Sequence, residues 1–454
     1  MALSTIDPST GLVVRTYEEH APGDIEKRLQ RATATFEEWR EASPQQRANV
    51  LRAAAAELRG RKTKWASVIV EEMGKLVAAA EAEVEKCAFV CEHYAEHAGA
   101  YLAPEPAPSD ASESYVRFDP IGPVLAVMPW NFPFWQVFRF CAPALAAGNV
   151  ALLKHASNVP GCALAIESIL AAAGLPEGGF QSLLVGPAAV AEMIRDPRVR
   201  AVTLTGSELA GARVAEAAGR ALKKCVLELG GSDPFIVLAD ADVEKAAAAA
   251  VAARTINCGQ SCIAAKRFIV EAPLHDEFVA RLWAGMERLR AGDPRERATE
   301  VGPLAREDLV GELDRQVASS LAAGARLIGG GRRLERRGFY YSPTVIDGVG
   351  RGQPVWDEET FGPVAAVTAA KDVEDAIRRA NDTPYGLGAS LWTRDLERAA
   401  RLARRIEAGS VFVNGIVKSD PRLPFGGVKR SGYGRELARY GILEFVNVKT
   451  VWVA

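Results

Sequence analysis

Between residues 24 and 100 the apolar side chains fall at helical intervals. Ile25, Leu29, Ala32, Phe36 and Trp39 recur at the spacing that lines one face of an α-helix. Ser43-Pro44-Gln45-Gln46 predicts a helix start, with Ser43 as N-cap, proline in the first turn and Gln46 closing a capping box. Residues 77–98 read as a further helix. Proline, serine and acidic residues then dominate 102–114, which predicts a loop or an arm, and 115–118 read as a strand. Beyond this point short apolar runs at 124–128, 150–153, 181–185, 201–204 and 225–229 alternate with helical patterns, among them 159–173 and 211–222. From about Gly231 the alternation repeats, with strands at 267–270 and 365–368 and helices at 274–289 and 373–380. Strands alternating with helices imply a parallel sheet covered on both faces, so the fold class is α/β. The tail 445–453 alternates around Val446, Val448, Val451 and Trp452. It reads as a strand with no local partner, whose free edge a second subunit would cover.

Bulk properties narrow the function classes. A chain of 454 residues suggests roughly three domain-sized units. The formal net charge of -2 gives no sign of a nucleic-acid or anionic-membrane partner. The 7 cysteines are odd in number and scattered, which favours a reducing compartment and a cytoplasmic protein over a disulfide framework. The N-terminus shows neither a basic segment nor an apolar one of the signal-peptide kind. The apolar run 243–253 is too short to span a bilayer. Cys87, Cys91, His93 and His97 imitate metal-ligand spacing, but at about 100° per residue the cysteines and histidines face opposite ways, so no metal site is expected.

Four stretches carry chemistry. Asn257-Cys258-Gly259-Gln260-Ser261-Cys262 joins an alanine-rich helix to a strand, with Gly259 able to turn the chain sharply. Cys262 in such a loop is open to a ligand, and a thiolate attacks carbonyl carbon; a buried, inert thiol is the alternative. Thr205-Gly206-Ser207 follows a strand and opens a helix whose free N–H groups suit a phosphate, although G-x-G-x-x-G is absent. Glu228-Leu229-Gly230-Gly231 puts a carboxylate at the end of a parallel strand, where open α/β sheets bind ligands. Pro129-Trp130-Asn131-Phe132-Pro133 holds an amide in a stiff loop, either as an oxyanion donor or as a turn residue bonding its own backbone.

These motifs, together with Lys154 and Glu359-Thr360-Phe361-Gly362-Pro363, resemble the aldehyde dehydrogenase superfamily in order and spacing along nearly the whole chain. The resemblance implies two Rossmann-like α/β domains and a small bridging segment for oligomerisation. The cofactor-binding domain would comprise residues 1–101 and 121–230 and the catalytic domain 231–425, with 102–120 and 426–454 as arm and tail of a homodimer or homotetramer. It implies Cys262 as nucleophile, Asn131 with the backbone N–H of Cys262 as oxyanion donors, and Glu228 as the base that activates water. Trp130, Lys154, Ser157, Gly206, Ser207, Glu359 and Phe361 would hold the cofactor. The reaction would run through a thiohemiacetal and a thioester.

A closer resemblance, over residues 132–140, 154–158, 232–235 and 411–435, is to short bacterial succinate-semialdehyde dehydrogenases. It implies a small semialdehyde substrate held by Trp135, Arg139, Ser261 and Ser419. Glutarate semialdehyde, and a catalytically silent protein on the same fold, stand as alternatives. Ser157 replaces the glutamate that NAD-preferring members often carry, so NADP is the expected cofactor, with NAD as the alternative. His155 stands where proline is common. Ala264 stands where some relatives have a second cysteine, which leaves Cys258 as a substitute redox partner or a buried bystander. If the run after Asn131 is helical, Asn131, Trp135 and Arg139 share a face, and Arg139 would read the substrate carboxylate unless a protein carboxylate claims it.

Overall fold

The computed structural model describes residues 2–454. Four helices, Pro22–Trp39, Pro44–Gly60, Lys62–Met73 and Val77–Tyr101, precede the first large sheet. The local signals hold where they were read. Leu29, Ala32, Phe36 and Trp39 are buried, and Ser43 and Gln46 form the reciprocal capping box.

The first sheet has six strands in the order Gly432–Tyr433, Lys224–Glu228, Ala201–Thr205, Pro123–Met128, Val150–His155, Phe180–Ser182. All pair in parallel except Gly432–Tyr433, which runs antiparallel along Lys224–Glu228. The chain therefore crosses from Pro123–Met128 outward to one side, then returns to place Ala201–Thr205 on the other side. Where strand order reverses in this way, a crevice opens beyond the carboxyl ends of the two central strands. Pro129–Asn131 and Gly206–Ser207 emerge there.

The second sheet has seven strands in the order Arg326–Gly329, Thr344–Asp347, Val364–Ala370, Arg267–Glu271, Pro234–Val237, Gly388–Trp392, Ser410–Val413. Only the edge strand Arg326–Gly329 is antiparallel. The central strands Pro234–Val237, Arg267–Glu271 and Gly388–Trp392 are buried at every position, as expected for strands covered on both faces.

The tail strand Val446–Val453 does have a partner. It pairs antiparallel with Glu113–Pro120 along its full length, and the short strand Glu105–Pro106 completes a three-stranded sheet. The two segments are 326 residues apart in sequence even at their nearest pair, Val446 and Pro120, so the pairing partner is invisible to local periodicity. Residues 432–433 belong to the first sheet and not to the arm. Val448, Trp452 and Val453 remain exposed. Among the described residues no helix is long and apolar enough to cross a membrane, and no cluster of metal-ligating side chains occurs.

Candidate active site

A cleft of about 210 Å³ lies at the strand-order reversal, lined by Pro129, Trp130, Asn131, Gly206, Ser207, Gly230, Cys262, Glu359 and Phe361 among others. Larger hollows of about 610 and 760 Å³ lie beside the arm, but no cysteine lines them.

Backbone geometry presents Cys262 to the cleft. The helix Val243–Thr255 ends in a tight turn in which Asn257, Cys258 and Gly259 all have positive φ (53°, 55° and 78°). A Cβ on Gly259 would lie 2.1 Å from the carbonyl oxygen of Gly362, so only glycine fits. Buried cations then hold the following carbonyls. Arg254 donates to Gly259 O at 2.8 Å, and Lys266 Nζ donates to Ser261 O, Cys262 O and Ala264 O at 3.0, 2.8 and 3.2 Å. With the carbonyls turned toward cations, the backbone N–H of Cys262 meets no acceptor among the described residues. It is free to donate to an oxyanion.

Asn131 completes that arrangement. Its amide donates to Gln260 O at 3.2 Å, while Asn257 Nδ2 donates to Asn131 O and to Gln260 O at 2.8 and 3.0 Å. Asn257 thus laces the two loops together, and asparagine tolerates the left-handed backbone this needs. His155 braces the same loop from below. Its Nδ1 accepts from Ala156 N–H at 2.9 Å, so Nε2 carries the proton and donates to Pro133 O at 2.9 Å. Burial pushes His155 down to about 4 and keeps it neutral.

Glu228 is buried at the end of Lys224–Glu228, and neither of its carboxylate oxygens has a hydrogen-bond partner among the described residues. Burial, and after it the neighbouring Glu436 carboxylate, raise its pKa above the ordinary 4.5. That direction suits a base that must take and release a proton near neutrality. Burial pushes Cys262 up to about 12, with Glu359 adding to the rise and Lys266 and Arg139 opposing it. The resting side chain is a thiol, and attack requires its deprotonation.

The cofactor side of the cleft is built from strand ends. Ser207 caps the helix Glu208–Arg220, accepting from Ala210 N–H at 3.4 Å, and aims that helix N-terminus at the cleft. Lys154 is half-buried at the end of Val150–His155, its side chain has neither ion pair nor hydrogen bond among the described residues, and burial alone lowers its pKa. Ser157 is exposed three residues on. Glu359 accepts from Gly231 N–H at 3.0 Å, and a Cβ on Gly231 would lie 2.7 Å from Cys262 O. Trp130 and Phe361 meet edge to face at 5.7 Å, and the Arg306 guanidinium lies 5.4 Å from the Trp130 ring. An unpaired cation, a helix N-terminus and an aromatic pair along one crevice fit a dinucleotide.

A profile of the aldehyde dehydrogenase family matches residues 1–451. The chain belongs to this family. It is 54% identical over 454 residues, the whole of both chains, to a probable succinate-semialdehyde dehydrogenase (NADP(+)) of Synechocystis sp.. It is 51% identical over 457 residues, again 100% of each chain, to succinate-semialdehyde dehydrogenase (NADP(+)) 1 of Mycobacterium bovis. Among solved structures it is similar to succinic semialdehyde dehydrogenase from Streptococcus pyogenes in complex with NADP+, at 37% identity, TM-score 0.97 and 99% of each chain.

In this aldehyde dehydrogenase the folded chain brings Cys262, Asn131, Trp130, Gly206, Ser207, Glu359 and Phe361 to one cleft. Ser261 is buried behind Cys262, its hydroxyl without a hydrogen-bond partner among the described residues. Arg139 requires a correction. The helix begins at Trp135 and not at Asn131, and the Arg139 guanidinium is ion-paired with buried Glu436. It is 2% exposed, lies over the Phe425 ring at 4.7 Å and donates to Thr205 Oγ1 at 3.4 Å, so a protein carboxylate shares it. Asn257, Lys266 and Arg254, which set the nucleophile loop, were not singled out from sequence. The signal for the first was an asparagine directly before the turn; for the two cations there was none, because a buried basic residue looks locally like an exposed one. Cys258 accepts a hydrogen bond from Gly302 N–H at 3.1 Å, and burial raises its pKa to about 11, which favours the bystander reading.

Proposed function

We propose that this aldehyde dehydrogenase oxidises succinate semialdehyde to the dicarboxylic acid with NADP. The observation that carries the proposal is the pairing of full-length similarity with a cleft that Cys262 and Asn131 line together, where the Cys262 N–H is free, while Glu228, a buried carboxylate of raised pKa, ends the strand that leads into the cleft at Leu229 and Gly230. The Cys262 thiol gives up its proton to solvent, its sulfur attacks the aldehyde carbon, and Asn131 and the Cys262 N–H hold the developing oxyanion. The nicotinamide, when bound, supplies the hydride acceptor. Glu228 then takes a proton from water as it attacks the thioester carbon, and the Cys262 thiolate leaves. Lys154 would meet the adenosine ribose with its 2′-phosphate, and Ser157 puts no carboxylate there to repel it. Ser207 and the helix it caps would face the pyrophosphate, and Glu359 the nicotinamide ribose.

In this reading residues 1–101 and 121–230, with 432–433 added to their sheet, serve the cofactor and 231–425 the chemistry, while 102–120 and the rest of 426–454 join subunits of a homodimer or homotetramer through the exposed edge beside Val448 and Trp452. The test is an absorbance assay for reduced nicotinamide with a panel of aldehydes and both cofactors. Succinate semialdehyde with NADP should give the highest kcat/KM. Equal efficiency with butanal would overturn the substrate, and strong NAD selectivity the cofactor.

A further inference from the structure

Lys266 is fully buried just before the strand Arg267–Glu271, and its Nζ donates to the carbonyls of Ser261, Cys262 and Ala264. Three donor contacts need three N–H protons. A neutral amine has two, so Lys266 is an ammonium even though burial lowers its pKa. Every one of its protons goes to an uncharged acceptor. The nearest carboxylate oxygen, Glu359 Oε1, stands 3.7 Å from Nζ, beyond hydrogen-bonding distance, and accepts from Gly231 N–H. Two further buried cations lie beside the same loop, and neither is bonded to a carboxylate among the described residues. Arg254 donates to Gly259 O, and Arg267 donates to Ser232, Arg379 O and Ala380 O. Two carboxylates face these three cations. One is Glu359. The other, Asp233, accepts from Gly388 N–H with one oxygen, leaves the second without a partner, and is raised by burial to about 7, so part of it is protonated near neutrality. The set therefore carries positive charge in excess, beside a thiol. Among the charges that act on Cys262, Glu359 and Asp233 oppose its ionisation, while Lys266 and Arg139 favour it, and Arg139 is already paired with Glu436. Glu228 ends the neighbouring strand with both oxygens unpartnered.

Resting on the reading that Cys262 is the nucleophile, we propose that Lys266 is a positioning residue whose ammonium stabilises the Cys262 thiolate, tempered by the Glu359 carboxylate. The S–H bond breaks, the proton leaves to solvent, and the electron pair stays on sulfur. The negative charge then forms on the residue whose own carbonyl Lys266 grips at 2.8 Å. No side chain has to reorganise, because three carbonyls already fix Nζ in place. A cation buried this fully is little screened by water or salt, so its charge is felt at the neighbouring sulfur. The thiolate supplies the negative charge that the cations around the loop lack.

The test is the rate at which iodoacetamide, a neutral reagent, alkylates Cys262 as pH is varied. Mass spectrometry of the Cys262 peptide separates this reaction from that of half-buried Cys225. The thiolate displaces iodide, so the rate follows the ionised fraction. Lys266→Gln, which keeps donors for the carbonyls without the charge, should slow alkylation about tenfold near neutrality, a displacement of the profile by about one pH unit toward alkali. Lys266→Arg, which keeps the charge, should restore most of the rate. Glu359→Gln, which removes the opposing carboxylate and leaves the grip on the carbonyls intact, should speed alkylation. Equal slowing in Lys266→Gln and Lys266→Arg would make Lys266 a packing contact and overturn the proposal. A Glu359→Gln rate at or below that of wild type would overturn it too, and this result is available even if no Lys266 variant folds. In Lys266→Gln, kcat/KM for the aldehyde should fall in step with alkylation. Slower alkylation with unchanged kcat/KM would leave the effect of Lys266 on the thiol standing and overturn the reading of Cys262 as nucleophile.

Discussion

Arg139 is ion-paired with Glu436, and the two side chains are 2% and 5% exposed. Glu436 in turn is the neighbour whose charge raises Glu228. The pair therefore forms part of the environment of the base. Arg139→Met should lower stability by about 3–5 kcal/mol, the cost of stranding a buried charge. It should lower kcat/KM for succinate semialdehyde and butanal by the same factor. Denaturant unfolding and steady-state kinetics with the two aldehydes check this, and a loss confined to the carboxylated substrate would contradict it.

Cys262→Ala should abolish turnover while NADP still binds, because the cleft is otherwise built from strand ends and the Trp130–Phe361 pair. Quenching of tryptophan fluorescence by the cofactor measures the binding, and Trp130 lines the cleft to report it. Substantial residual turnover would remove Cys262 as nucleophile.

Glu228→Gln should slow thioester hydrolysis by about 10²–10⁴-fold, the usual worth of a positioned base, and leave the first hydride transfer nearly intact. Rapid mixing should show a burst of reduced cofactor followed by slow turnover.

The same carboxylate sets a pH dependence. Its pKa is raised by burial and by Glu436, so on falling pH it takes a proton well above the ordinary carboxylate range and loses its capacity as a base. Hydrolysis in wild type should therefore decline as pH falls from neutrality, earlier than a solvent-exposed glutamate would dictate. The decline should vanish from the slow phase of Glu228→Gln. A wild-type rate that stays flat down to the ordinary range would contradict the shift.

Ser157→Glu should move cofactor preference from NADP toward NAD by about tenfold or more, since a carboxylate beside a 2′-phosphate costs at least ~1.4 kcal/mol. Ser157 is exposed, so the shift should shrink as salt is added. The ratio of kcat/KM values for the two cofactors, taken at two ionic strengths, measures both effects.

Much of this could be read along the chain. Capping residues placed the start of the helix Pro44–Gly60, and apolar runs placed the strands Pro123–Met128 and Ala201–Thr205 to within a residue, because these signals are local. The strands Pro234–Val237 and Gly388–Trp392 escaped, since a proline opens the first and Gly388, Ala389 and Ser390 fill most of the second, which leaves only short apolar runs. Cys262 and Asn131 were legible because glycine and proline mark sharp turns around them and because their motifs resemble those of the family.

What the sequence by itself determined was which groups are chemically able to act: a thiol in a turn, an amide between prolines, a carboxylate at a strand end. Only the tertiary structure decided which charges are free to act. Arg139 and Lys86 are both basic residues on helices, and helical phase says which way each points without saying what stands opposite. Glu436 claims the first, and Ser419, 333 positions away, meets the second without neutralising it. An ion pair or a free ammonium is settled by packing between distant segments, because the Coulomb energy depends on distance in space and on burial, not on separation along the chain.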